Sequence, residues 1–285
     1  MEKVKIVVDS TGDMPFEWIE LLDVETIPLH ILWGGAKTEK DIRDENEITD
    51  FWARIKRTEK LPTTSQPTPE EFSVLYNRIF EKGYDAIFVI TISSKLSGTY
   101  NSARVAAKKH DKPIEIWDSR MASSPLALAA FRAKELADAG KNIREIKEVL
   151  EKERNEKQFL AFIYVNDFLR KGGRVSRFQN FVGTILKLRV AVYVDVNGEL
   201  LPFGKASGSS RAQRMICRKL SKFIPKGSSV KLAMIHADNL KECRKIEEIL
   251  NEHYNVLDRV YTPMGKVLTS HLGPLSAGFG VYWVK

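Results

Sequence analysis

The stretch DAIFVITISSKLSGTYNSARVAAKKH, residues 85–110, decides the fold. Its first part, DAIFVITIS, is an unbroken apolar run rich in β-branched residues, which is the pattern of a strand buried on both faces. A turn of hydroxyls and glycine follows, and a helix then runs through NSARVAAKKH. Outward from this unit the same alternation recurs. VKIVVDS (4–10) reads as a strand and leads into the helical PFEWIELL (15–22). TIPLHILW (26–33) is strand-like, and ITDFWARIKR (48–57) has helical spacing. Thr68-Pro69-Glu70-Glu71 is a helix start, with Thr as N-cap, Pro at the first helical position and Glu at the third. PIEIWDS (113–119) reads as a strand. A helix from about 125 to 139 follows, which Gly140 is placed to stop, and then a charged helix over 142–157. Repeated strand–helix alternation predicts a parallel sheet covered by helices on both faces. Ligands of such sheets bind beyond the carboxyl ends of the strands. Here those ends carry Asp9-Ser10-Thr11, Ser93-Ser94 leading to Ser97-Gly98-Thr99, and Asp118-Ser119.

The second half changes character. QFLAFIYV (158–165) reads as a strand, and DFLRKGGRVSRF (167–178) as a basic turn. RVAVYVDVNGELLPF (189–203) alternates about Asn197-Gly198, a hairpin signal. A helix over 209–224, a strand over 231–237, a helix over 239–253 and a strand over 256–263 precede a Gly-rich tail. The expected organisation is an N-terminal α/β domain, 1–157, and a smaller α/β C-terminal domain, 158–285. The last strand is free to join either.

Composition narrows the function. With 285 residues, 43% hydrophobic and 29% charged, the chain has enough apolar residues for a core. No run reaches the 18 apolar residues of a membrane span, and the N-terminal apolar run is broken by Asp9 too early for a signal peptide. A cytoplasmic protein without stable membrane insertion is expected. The net charge of +8 raises nucleic acid as a partner, but most cations alternate with Glu, as in KNIREIKEVLEKERNEK (141–157), a solvated helix face. No aromatic-rich basic motif appears, so no nucleic acid is expected. Cys217 and Cys243 make neither a disulfide nor a metal site.

Three loops carry candidate chemistry. Leu61–Pro67 places Thr63, Thr64 and Ser65 ahead of a helix start, where free N–H groups suit a carboxylate or phosphate; a capping turn is the alternative. Ser97-Gly98-Thr99 offers hydroxyls and close backbone approach at another helix start; an N-cap serine is the alternative. It is neither a phosphate loop nor a nucleophile elbow. Arg170-Lys171-Gly172-Gly173-Arg174 is either an exposed basic turn or a phosphate clamp. His271 stands between Ser270 and the tail glycines. His30, His110, His236 and His253 read as structural or exposed.

Five segments in order, VVDST (7–11), PTTSQPTPEEF (62–72), SSKLSGTYNSA (93–103), FLRKGGRVS (168–176) and PMGKVLTSHLGP (263–274), resemble the DegV family across about residues 3–284. The resemblance implies two α/β domains with a long-chain fatty acid, of the palmitate type, between them. It implies a carboxylate held by Thr64 and Ser97, with Ser65 as neighbour and His271 in the same network. It further implies a carrier, not an enzyme. The carrier would present its acid to a separate ATP-binding fatty acid kinase subunit for acyl-phosphate formation, with Arg174 facing the phosphate. No cofactor, metal or catalytic residue is expected. Phe162, Phe168, Phe181 and Leu188 are candidates for the tunnel lining. A stand-alone hydrolase or kinase using Ser97 with His271, and a basic nucleic-acid binder, are the competing readings. Two positions depart from the family pattern: Thr68 where Ser is common, and Leu275 where glycine often follows the SHxGP motif. A bulky Leu275 is expected near the site.

Overall fold

The computed structural model describes residues 2–34, 38–58, 60–156, 159–165 and 188–285. The chain runs through β1 (Val4–Asp9), α1 (Phe16–Leu21), β2 (Glu25–Ile27), β3 (His30–Leu32), β4 (Thr38–Lys40), α2 (Glu45–Ile55) and β5 (Thr63–Ser65). It continues with α3 (Pro69–Glu81), β6 (Ala86–Thr91), α4 (Thr99–Ala107), β7 (Ile114–Asp118), α5 (Pro125–Asp138) and α6 (Ile143–Asn155). Then come β8 (Phe159–Val165), β9 (Leu188–Val194), β10 (Leu200–Ser207), α7 (Ser209–Leu220) and β11 (Ser229–His236). The chain ends with α8 (Leu240–Asn251), β12 (Asn255–Pro263), α9 (Lys266–Leu272) and β13 (Ala277–Trp283).

The N-terminal sheet has the order β2–β1–β6–β7 and every pair in it is parallel. Strand periodicity divides its residues between two cores. Val7, Ile87 and Val89 pack with Phe72, Tyr76 and Ile79 of α3 and Ala103 and Ala106 of α4. Ile6, Val8, Phe88 and Ile90 pack on the other face with Leu126 and Ala130 of α5 and Ile146 and Leu150 of α6. This is the helix-covered parallel sheet that continuous apolar strands require.

The C-terminal sheet has the order β10–β9–β8–β13–β11–β12. Its pairs are antiparallel except β11 with β12. The last strand therefore joins the second domain, between β8 and β11. One face of this sheet packs on α7 and α8 through Phe162, Leu232, Ile216 and Ile246. Its other face meets Ile31, Phe51 and Trp52 from the N-terminal half. The fold is thus a two-domain α/β structure whose domains share a packed seam. The expected boundary at 157/158 lies outside the described residues.

One strand-like segment resolves differently from its expectation. TIPLHILW splits at Pro28, which lacks the N–H a ladder needs. Its first part is β2, in the parallel sheet. Its second part is β3, in a small antiparallel sheet of order β4–β3–β5. β4 and β5 have only three residues each, too short for their alternation to show in the sequence.

Candidate ligand site

The small sheet positions the first half of the site. β5 pairs with β3 in the register Thr64↔Ile31 and Ser65↔His30, so a segment read as a loop is held as a strand. Thr68 then caps α3 with a full capping box closed by Glu71. The Ser-to-Thr departure at position 68 therefore keeps the capping hydroxyl. Gly98, at the start of α4, lets the two hydroxyl loops touch: a Cβ there would lie 2.5 Å from Gln66 Nε2. Gln66 was missed as a site residue although its loop was singled out.

α9 brings the second half. The tail glycines suggested a loop around His271, but His271 lies in the last turn of α9, and Gly273 ends the helix with φ 87°. His271 Nε2 is 2.8 Å from Thr64 Oγ1. Ser97 Oγ lies 2.9 Å from Thr99 Oγ1 and accepts from Thr99 N at 3.3 Å.

These groups line one cavity of about 330 Å³. Thr64, Ser65, Gln66, Ser94, Lys95, Ser97 and His271 supply polar lining. Ala161, Ile163, Val192, Val194 and Leu200 supply apolar wall from β8, β9 and β10, and Val267, Leu268 and Leu272 supply it from α9. Phe162, a tunnel candidate, faces away: it is fully buried against α7 and α8, because neighbours on a strand point to opposite faces. Leu188 lines a different, basic groove beside α7. Phe168, Phe181 and Arg174 lie outside the described residues. Leu275 is 39% exposed and does not line the cavity.

Buried carboxylates back the cavity. Asp9 accepts from Thr11 N at 3.0 Å and Ile92 N at 2.6 Å, tying together the carboxyl ends of β1 and β6. Burial raises its pKa to about 6, against the pull of these hydrogen bonds. Burial likewise raises Asp13 to about 7, opposed chiefly by Arg43. Thr11 and Ser123 reach the cavity from this side. Ser123 holds a left-handed backbone, φ 67°, which its sequence gave no sign of.

A family model described as "Uncharacterised protein, DegV family" matches residues 3–283. The chain belongs to the DegV family. A relative from Thermotoga maritima named "Fatty acid-binding protein" is 43% identical over 281 residues, covering 98% of this chain and 97% of that one. A solved DegV lipid binding protein from Thermotoga maritima superposes with a TM-score of 0.95 at 41% identity, over 100% of this chain and 99% of the other. A second Thermotoga maritima structure, described as revealing fatty acid binding function, gives a TM-score of 0.94 at 40% identity over the whole of both chains. Among the described residues of this DegV protein, no helix is long and apolar enough to cross a membrane.

Proposed function

We propose that this DegV protein is a cytoplasmic carrier that holds one long-chain fatty acid and presents it to a separate kinase subunit. The observation that carries the reading is the lining of the cavity: apolar over most of its wall, with the hydrogen-bonded Thr64–His271 pair, Ser65, Ser97 and the Lys95 cation among its polar groups. An acyl chain gains by leaving water for the apolar wall, at roughly 0.8 kcal/mol per methylene. Its carboxylate accepts charge-assisted hydrogen bonds from hydroxyls and an imidazole N–H. The names of the Thermotoga relatives support the same ligand class.

Presentation to a kinase needs a face for a partner and a contact for phosphate. A groove of about 590 Å³ beside α7 is lined by Lys205, Arg211, Arg214, Arg218, Lys219 and Lys222, and its charge suits an acidic partner surface. The reading assigns the phosphate contact to Arg174.

Removal of Thr64 and Ser97 hydroxyls together tests the carboxylate assignment. Each lost charge-assisted bond is worth about 1.5–3 kcal/mol, so Thr64→Ala/Ser97→Ala should bind palmitate at least about a hundredfold more weakly. Unchanged affinity, measured by calorimetry on delipidated protein, would place the carboxylate elsewhere.

A further inference from the structure

His271 stands at the last turn of a seven-residue helix, and the opposite end of that helix is fastened in an unusual way. The N-cap of α9 is Gly265, which has no side chain to offer the first free N–H groups. Two buried aspartates from distant parts of the chain serve instead. Asp13 Oδ1 accepts from Gly265 N at 2.7 Å, and Asp41 Oδ1 accepts from Lys266 N at 2.8 Å. Glycine is required for this approach: a Cβ at position 265 would lie 2.9 Å from Asp13 Oδ1 and 3.0 Å from Asp41 Oδ1.

Asp13 is itself held. The buried Arg43 guanidinium donates to Met14 O, Pro263 O and Thr262 Oγ1 at 2.9–3.1 Å and reaches Asp13 Oδ1 at 3.4 Å. Trp52 Nε1 donates to Met264 O and Thr269 Oγ1, each at 3.2 Å. Residues 13, 41, 43 and 52 all precede the second domain, whereas α9 belongs to it. The fastening therefore crosses the seam, roughly 9 Å along the helix from His271, and Asp13, Asp41 and Trp52 are not among the residues that line the cavity.

We propose that Asp13, Asp41 and Trp52 are positioning residues that hold His271 against Thr64 from the far end of α9, and so set how firmly the bound acid is retained. The physical reason is rigidity. A short helix has little stability of its own, so the direction of its last turn follows the anchoring of its first. The proposal rests on the fatty-acid reading for its effect on retention, but not for its effect on His271.

The test compares Asp41→Ala with Asp41→Asn, which keeps the acceptor oxygen. In the ligand-free protein, the ring proton and carbon chemical shifts of His271 should move in Asp41→Ala and stay near wild type in Asp41→Asn. Release of isotopically labelled palmitate should become about two- to thirtyfold faster in the alanine variant only. A folded Asp41→Ala protein with wild-type His271 shifts and wild-type release would overturn the proposal. If Asp41→Ala does not fold, Trp52→Phe removes the indole N–H with most of the ring bulk kept, and the same two readings decide in the same way. Wild-type protein that takes up no palmitate would defeat the lipid reading alone; the His271 shifts would still decide for or against the fastening.

Discussion

Leu275 shows how a single residue's backbone can matter more than its side chain. It holds φ 63°, a left-handed conformation that costs an L-residue about 1–2 kcal/mol. Two hydrogen bonds keep it there: Leu275 N donates to Ala237 O at 2.7 Å, and Asn239 Nδ2 donates to Leu275 O at 2.8 Å. A glycine would relieve the strain, offset in part by its greater freedom when unfolded. Leu275→Gly should therefore stabilise the protein by about 0.5–1 kcal/mol without changing ligand affinity, since the side chain lies outside the cavity. Urea denaturation showing a loss of stability would contradict this.

At the scale of elements, the strands of the second sheet decide which side chains meet the ligand. On β9, Val192 and Val194 line the cavity wall; on β8, Ile163 does so while Phe162 joins the opposite core. Val192→Phe should thus fill the acyl slot and reduce palmitate uptake by at least about tenfold, whereas overpacking costs the fold only about 1–3 kcal/mol. Full uptake by a folded variant would show that the chain runs elsewhere. The long elements were legible because their periodicity spans many residues: β6, α3 with its capping box, and the β9–β10 hairpin all fall where the pattern put them. The β3–β5 sheet was not legible, because three-residue strands carry no period and their pairing joins residues over thirty positions apart. The same limit hid α9, a short helix whose flanking glycines read as loop.

For the whole molecule, the candidate site was legible as a set of residue types but not as a geometry. Thr64, Ser65, Ser97 and His271 lie in segments the chain singled out and were named as a site by the family resemblance, yet only the folding of α9 across the seam brings His271 to Thr64. The burial of the carboxylates behind that seam was not legible, because an Asp near a strand end ordinarily faces water. They make a prediction about pH. Unfolded carboxyls titrate near pH 4, while Asp9 and Asp13 are raised to about 6 and about 7 by burial. Between those limits the folded protein keeps protons that the unfolded chain has released. The contribution of these groups to stability is therefore full below about pH 4 and is lost as pH rises through about 6–7. Asp13→Asn should flatten the decline of Tm between about pH 4 and 7; superimposable Tm profiles for variant and wild type would contradict it.

The central claim concerns what fills the cavity. Mass spectrometry of the purified protein under native conditions tests it most directly. The account predicts one long-chain fatty acid per chain, lost on denaturation and restored when palmitate is added to stripped protein. Protein that purifies empty and takes up no added palmitate would contradict it.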